Sequence, residues 1–244
     1  MPNYKITIQY DGTDFFGWQS QPSGNTIQDE LIKCIFKLTG EKINLIGSGR
    51  TDSGVHAFNQ VANFQITNSL SEFKFKHSLN SILPSTIAIS ELIEVNNNFH
   101  SRFDAKKRSY LYFISSAKSP FYNKYSYLYP QLKDSDLPKL RDISQLLIGK
   151  HNFTSFCKKN TDTENKICDV IEISWRKTKD LLIFKIEANR FLHGMVRTIV
   201  GTLLNSLKSP KSYEYISSVL ASKARETAGK AVPANGLFLF KIRY

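Results

Sequence analysis

Short apolar segments with two different spacings limit what this 244-residue chain can fold into. From Tyr4 to Tyr10, apolar and aromatic residues alternate with polar ones, which predicts a half-buried strand. Thr26 then stands three residues before Asp29 as a helix-capping pair, and apolar residues recur at helical spacing until Gly40. The strand patterns are not followed by the regular single helices of a parallel series. The sequence therefore predicts an α+β fold with mainly antiparallel sheets flanked by helices.

A polar, basic segment divides the chain into two similar halves. The segment FHSRFDAKKR occupies residues 99–108 and is followed by SYLYFI, a run of strong strand-forming residues. We therefore predict two α+β domains, residues 1–105 and 106–244. Further strands are predicted at residues 62–66, 181–187 and 237–243, and helices at about residues 136–148, 191–207 and 212–221.

Nothing in the sequence indicates a membrane segment, a disulfide framework or a metal site. The longest apolar runs stop at a lysine within a few residues, whereas a membrane-spanning helix needs about twenty apolar residues. The chain starts with a strand pattern and without the zones of a secretory signal. Three widely spaced cysteines, Cys34, Cys157 and Cys168, and five single histidines form neither a CxxC nor an HxxxH pair. We expect a cytoplasmic protein without bound metal.

The charge of the chain indicates a polyanionic partner. Lysine and arginine number 33 against 21 acidic residues, which gives a formal net charge of +12. Such an excess is typical of proteins that meet RNA or DNA, and less often of proteins that meet a membrane surface. The alternative is that the charge serves solubility alone, and composition does not decide between them.

The segment GSGRTDSGVHA, residues 47–57, places one carboxylate among three glycines. Its spacing matches neither the GxGxxG nor the Walker pattern, so it does not predict a nucleotide cofactor loop. In a strand-like segment Arg50 and Asp52 point to the same side, where the guanidinium favours the ionised carboxylate. The alternative is a tight hairpin with an ordinary surface ion pair, which spacing alone favours because glycine and aspartate are common turn residues.

Several motifs together make a more specific pattern. GRTDSGVHA resembles the catalytic signature of the pseudouridine synthases, in particular the family that acts on tRNA positions 38, 39 and 40. Further motifs occur along the chain in the same order as in that family. They are YDGTDFFGWQSQP, TIQDEL, FHSRF, RSYLYFI, HNFTSF, FLHGMVRTIVG and GLFL. The chain departs from it at Ser20 and Ser53, where relatives more often have arginine and alanine. We expect Ser20 to remove one RNA contact and Ser53 to change little.

This resemblance implies a pseudouridine synthase fold, in which two α+β halves meet along a basic central cleft. It also implies a homodimer that isomerises uridine to pseudouridine in the tRNA anticodon stem-loop. The reaction has no net redox change and needs no energy source, so we expect no cofactor. An aspartate suits the first step because its ordinary pKa of about 3.9 leaves it ionised at neutral pH. The family signature makes Asp52 the expected catalytic nucleophile.

The resemblance assigns three further residues to the second half. Tyr110 matches the family position whose ring packs on the target uracil and whose phenol can help to remove the C5 proton. Periodicity alone does not distinguish it from Tyr112, which is predicted on the same face. Arg197, in the predicted helix at 191–207, matches the arginine that pairs with the catalytic aspartate. Leu237 matches an apolar residue of the uracil pocket, although an ordinary strand leucine is a compatible alternative.

RNA contacts complete the expected site. By resemblance Arg50 helps to extrude the target base from a stem, and the alternative role is its ion pair with Asp52. We expect basic residues around the site to contact backbone phosphates, and two aromatic residues to add to RNA binding. These residues are Arg102, Lys106, Lys107, Arg108, Phe16 and Trp18.

Two other functional classes are compatible with part of this pattern. A noncatalytic RNA-binding module has the same charge and stacking groups, but it would tolerate Asp52→Asn. A hydrolase of the N-glycosidic bond would release free uracil, and such chemistry usually uses a second carboxylate, none of which is adjacent to Asp52.

Overall fold

The computed structural model describes residues 1–159 and 163–244. They form two compact units. Unit 1 contains Met1–Lys106 together with Phe238–Tyr244, and unit 2 contains Lys107–Leu237. The last strand of the chain therefore lies with the N-terminal half. The division into two domains near residue 105 stays a prediction.

Unit 1 is an antiparallel sheet with two helices. Its elements are the strands β1 (Asn3–Tyr10), β2 (Ile46–Gly47), β3 (His56–Gln65) and β4 (Ile87–Val95) and the helices α1 (Ile27–Thr39) and α2 (Glu72–Ile82). The strand order is β4, β1, β3, with β2 paired to β3, and all of these pairs are antiparallel. A C-terminal strand at Leu237–Arg243 pairs in parallel with β3, where Phe238 lies opposite His56.

Helix α1 forms where its capping residues predict it. The hydroxyl of Thr26 accepts a hydrogen bond from the backbone N–H of Asp29 (3.2 Å), and Gly40 ends the helix with a left-handed φ of +73°. Its buried face, which includes Leu31 and Ile35, contributes to the core of unit 1. The predictions of α1 and of β1 are confirmed.

Unit 2 contains a further set of mainly antiparallel strands and, among its described residues, three α-helices. Its elements are the strands β5 (Lys107–Ser115), β6 (Tyr127–Leu128), β7 (Gly149–Asn152), β8 (Ile167–Lys177) and β9 (Leu181–Ala188) and the helices α3 (Asp136–Ser144), α4 (Met195–Ser206) and α5 (Ser212–Ser222). The strand at Leu237–Arg243 is β10. The order is β5, β9, β8, β7, all antiparallel, with β6 parallel to β5. The predicted α+β class with mainly antiparallel sheets is confirmed.

Two predicted helices are shorter in the structure. The helix expected from residue 191 begins at Met195, because Gly194 adopts a left-handed φ of +71° that interrupts the helical backbone. The helix expected over 136–148 ends at Ser144 and continues as one 3₁₀ turn, Gln145–Leu147. In the part of the chain that the structure describes, no helix combines the length and the apolar character needed to span a membrane.

Candidate active site

The glycine loop, residues 48–55, connects β2 to β3 in unit 1. It is irregular backbone with bends and a turn, so the strand-like geometry expected for Arg50 and Asp52 is wrong. The loop starts at buried Ser48, whose hydroxyl donates to the side-chain oxygen of Gln60 (2.6 Å). Asp52 is partly exposed on it. The carboxylate therefore lies on a loop anchored at its base, with one part of its surface open.

A second stretch, the crossing segment of residues 11–18, fastens the glycine loop on both sides of Asp52. The backbone N–H of Trp18 donates to the carbonyl of Thr51 (3.2 Å), and the N–H of Gly54 donates to the carbonyl of Phe15 (3.3 Å). These bonds hold Thr51, directly before Asp52, and Gly54, two residues after it. The position of Asp52 thus depends on residues more than thirty positions earlier in the chain.

The two segments approach so closely that two positions of the crossing segment require glycine. A Cβ on Gly17, which has a left-handed φ of +90°, would overlap the carbonyl oxygen of Thr51 and lie 3.0 Å from the carbonyl carbon of Asp52. A Cβ on Gly12 would overlap the carbonyl oxygen of Val55. The glycines of YDGTDFFGW therefore permit backbone-to-backbone contact with the glycine loop.

Buried side chains also support the loop. The phenol of Tyr10 and the hydroxyl of Thr51 form a buried hydrogen bond of 2.9 Å. Trp18 is only 1% exposed and packs against Gly47, where an added Cβ would lie 2.7 Å from the indole Cζ2. The expectation that Trp18 contributes to RNA binding is wrong because its ring is buried in the core. Phe16 is 51% exposed, so its ring remains available at the surface.

Arg50 is exposed at the edge of the glycine loop. Its Nε donates to the side-chain oxygen of Gln19 in the loop that follows the crossing segment (3.2 Å). Within residues 1–159 and 163–244, the guanidinium makes no ion pair with Asp52. The proposed role of Arg50 in extruding a base stays a prediction.

In unit 2, the structure separates two tyrosines that the sequence pattern treats alike. Tyr112 is fully buried, and its phenol donates to the carbonyl of Pro233 (2.8 Å). Burial raises the pKa of Tyr112. Tyr110 is 8% exposed, and its ring contacts Phe191 edge-on with 5.0 Å between ring centroids. Tyr112 is therefore a core residue, and Tyr110 is the more accessible of the pair.

Arg197 projects from α4 and is held by the segment that leads to β10. Its Nε donates to the carbonyl of Val232 (2.7 Å), and the N–H of Val232 donates back to the carbonyl of Arg197 (3.2 Å). Gly201, one turn later, lets the backbone of Lys230 lie directly on the helix. The bond from Nε restrains the guanidinium beside the carbonyl of Val232. Leu237, the first residue of β10, is buried.

The predicted RNA-binding cations are divided between the units. Arg102 and Lys106 are exposed in unit 1, where the guanidinium of Arg102 lies 5.8 Å from the ring centre of Phe103. In unit 2, Lys107 approaches a carboxylate oxygen of Glu187 (3.9 Å). The side chain of Arg108 in the same unit donates to the carbonyl of Asn189 (3.1 Å). Their contribution to RNA binding stays a prediction.

Comparison with known proteins agrees with the sequence motifs. A family model described as tRNA pseudouridine synthase matches residues 6–104 and 143–244. This chain belongs to the tRNA pseudouridine synthase family. The match covers most of both halves of the chain, including the glycine loop, α4 and β10. The predicted family resemblance is confirmed.

Individual members of the tRNA pseudouridine synthase family match over nearly the full chain. The tRNA pseudouridine synthase A of Bacillus licheniformis is 41% identical over 242 residues, which cover 98% of each chain. The enzyme of the same name from Brachyspira hyodysenteriae is 42% identical over 241 residues, 98% of this chain and 96% of the other. That from Bacillus subtilis is 39% identical over 242 residues, 98% of each.

In this member of the tRNA pseudouridine synthase family, sequence reasoning missed the residues that position the loop. Tyr10, Thr51 and the two glycines of the crossing segment lie in quoted motifs, but no role was predicted for them. The glycines themselves were the available signal, since glycine often marks a close approach of two backbones. Among the described residues, no group of three or more His, Cys, Asp or Glu side chains is placed to hold a metal ion.

Proposed function

We propose that this protein isomerises uridine to pseudouridine at positions 38, 39 and 40 of the tRNA anticodon stem-loop, with Asp52 as the catalytic nucleophile. The near full-length match to the family, together with the GRTDSGVHA loop, carries the proposal. The geometry of unit 1 supports it, because Asp52 is partly exposed on a loop whose backbone is held on both sides.

The reaction needs only groups that the chain itself supplies. The bond between ribose C1′ and uracil N1 breaks, the base turns, and C1′ joins C5. The hydrogen at C5 leaves as a proton and N1 gains one, so atoms and electrons balance without a redox partner. An ionised carboxylate can start this sequence without a separate base to activate it. Asp52 is the group that we assign to this step.

Residues of unit 2 complete the proposed site. We assign Tyr110 to stacking on the uracil and to removal of the C5 proton, and its accessibility relative to Tyr112 supports this choice. Arg197 is assigned to stabilising the carboxylate of Asp52, which suits a guanidinium that is already restrained by the bond from its Nε to Val232. In the same proposal, the side chain of Leu237 supplies an apolar wall for the base.

The remaining parts of the proposal concern partners and surroundings. The substrate is tRNA, bound by a homodimer in which one tRNA touches both subunits, and the reaction takes place in the cytoplasm. The excess of positive charge supports a polyanionic substrate. Arg50 is assigned to extruding target bases from the stem, for which its exposed position at the loop edge is suitable.

The test uses unmodified tRNA with tritium at uridine C5 and adds neither metal nor nucleotide. Wild-type protein should release tritium without releasing free uracil. Asp52→Asn should abolish tritium release while retaining tRNA binding, and Asp14→Asn, at an exposed position of the crossing segment, is the matched control that should keep activity. Release of uracil would identify a hydrolase. Binding of tRNA by wild type without tritium release would identify a noncatalytic module.

A second test addresses Arg50 alone. Arg50→Ala should lower the rate at a uridine paired in the stem more than at a uridine in the loop, because only the stem base must be unstacked and unpaired. The two rates are compared on tRNAs with a single target uridine. Equal losses at both sites would contradict the assignment.

A further inference from the structure

Unit 2 contains a basic cavity lined by residues that are not assigned to the reaction. Its volume is about 390 Å³. Five cations and one carboxylate are among the described residues of its wall. These residues are Lys158, Lys159, Lys166, Lys223, Arg225 and Glu226. A concave surface with this excess of positive charge focuses its field on an anion.

Two of the cations on the wall have partners within the fold. Lys159 forms an ion pair with Glu226, which uses the one carboxylate. The guanidinium of Arg225 donates to the backbone carbonyls of Ala228 (3.4 Å) and Gly229 (3.1 Å), so it also supports the local chain. Lys158 and Lys223 add two ammonium groups to the wall, and its one described carboxylate, Glu226, is already paired with Lys159.

Lys223 links this cavity to a second one. A neighbouring cavity of about 400 Å³ shares Lys223 and adds Lys150 and His151 to its wall. Lys223 follows the last residue of α5 and has a φ of +50°, a left-handed conformation that side chains other than glycine adopt at a cost of about 1–2 kcal/mol. Many helices end with a residue in this conformation, so the end of α5 sets the backbone of Lys223, whose side chain lines both cavities.

The first cavity is tied to the residues assigned to the reaction in unit 2. The backbone N–H of Lys158 donates to the carbonyl of His193 (2.9 Å). His193 lies two residues after Phe191, whose ring contacts Tyr110. The backbone at Lys158 is thus bonded to a residue two positions from the ring that contacts Tyr110.

The composition of the walls favours backbone phosphate over a base. Lysine ammonium groups are compact charges that suit phosphate oxygens. Neither cavity wall includes a phenylalanine, tyrosine or tryptophan among its described residues, so a flat surface for stacking a base is not provided.

We propose that these two adjoining cavities bind backbone phosphates of the RNA substrate. This inference rests on the proposed function for the identity of the RNA. The site contributes affinity and orientation, and it reads no base. It differs from the cations at residues 102–108 that the sequence motifs indicate.

The test removes two of the charges and measures binding against salt. Lys223→Gly removes an ammonium group at a backbone position where glycine is better accommodated, and Lys158→Gln removes a second. The dissociation constant for unmodified tRNA is measured between about 50 and 200 mM salt. The slope of log affinity against log salt should fall by about 1.4 to 1.8, because each lost phosphate contact removes about 0.7 to 0.9.

Two variants serve as controls. Lys42→Gln with Lys74→Gln removes the same charge from exposed positions of unit 1 and should change the slope by clearly less. Lys223→Arg, which keeps the charge, should retain the wild-type slope. Circular dichroism establishes that each variant is folded.

The outcomes separate this inference from the proposed function. If wild type releases tritium but the Lys158/Lys223 double variant keeps the wild-type slope, the cavities do not bind RNA and the enzyme assignment stands. The inference is also overturned if inorganic phosphate raises the unfolding temperature of wild type and not of the double variant while the tRNA slope is unchanged. That result would mean that the cavities take free anions. A lower slope in a protein that releases no tritium would support the RNA site and contradict the enzymatic proposal.

Discussion

Replacing Gly17 by alanine should displace the glycine loop and slow the reaction. A Cβ at this position overlaps the carbonyl oxygen of Thr51 and lies 3.0 Å from the carbonyl carbon of Asp52, whereas ordinary contact begins at 3.4 Å. The backbone of Asp52 must therefore move by about 0.4 Å, and Thr51 by more. Because a shift of about 1 Å in a catalytic group can cost about 10²-fold, we expect the turnover rate to fall by roughly tenfold or more.

The stability of the variant needs a matched control, because an alanine at a φ of +90° is also strained by about 1–2 kcal/mol. Gly40 has a similar φ of +73°, but a Cβ there meets no atom within 4 Å. Gly40→Ala should therefore lose stability in urea unfolding while its initial rate of tritium release at saturating tRNA stays near that of wild type. Equal rates in the two folded variants would refute the argument from backbone contact.

Three further perturbations follow from the buried contacts. Tyr10→Phe should lower the free energy of unfolding in urea by about 1–3 kcal/mol, because it leaves the buried hydroxyl of Thr51 without this partner. Adding Thr51→Val should recover most of the lost stability, whereas a double variant that shows the sum of two losses would contradict this reasoning. Tyr110→Phe should slow tritium release by about 10²-fold or more. Tyr112→Phe should lower stability and keep the rate of tritium release. The reverse pattern would be inconsistent with the assignment of Tyr110 to the reaction. Burial raises the pKa of Cys168 from 9.0 to about 11, so the folded state holds this proton more tightly and stability should fall as the pH rises through that window. Cys168→Ala should flatten this fall in thermal unfolding, and an unchanged profile would count against it.

Elements with complete local signals could be predicted from the sequence. Helix α1 has a capping residue at Thr26, a regular apolar face and a terminal glycine, so its bounds follow from nearby residues alone. Helix α2 was missed because its buried face consists of only two residues, Phe75 and Leu79, in an otherwise polar stretch. Strand β8 was also missed, although its burial alternates along most of its length. In that case the pattern was present in the sequence.

The geometry of the candidate site depends on contacts between distant parts of the chain, which local patterns do not contain. A glycine at position 17 indicates an unusual backbone conformation, but the residues around it in sequence do not predict that Thr51 lies against it. The polar residues that follow Trp18 favour a surface position for its ring. The ring is buried instead, because Gly47 has no side chain and leaves room for the indole in the core.

The two tyrosines of β5 show what decides between residues that are equivalent in a pattern. Tyr110 and Tyr112 have the same chemistry, the same strand and the same predicted face, so only their partners distinguish them. The carbonyl that accepts from Tyr112 belongs to Pro233, which is 121 positions away in sequence. Because that bond is made in the folded core, the phenol of Tyr112 is committed to structure. The role of Tyr110 therefore stays a prediction of the family resemblance, and a rate assay on the two phenylalanine variants tests it.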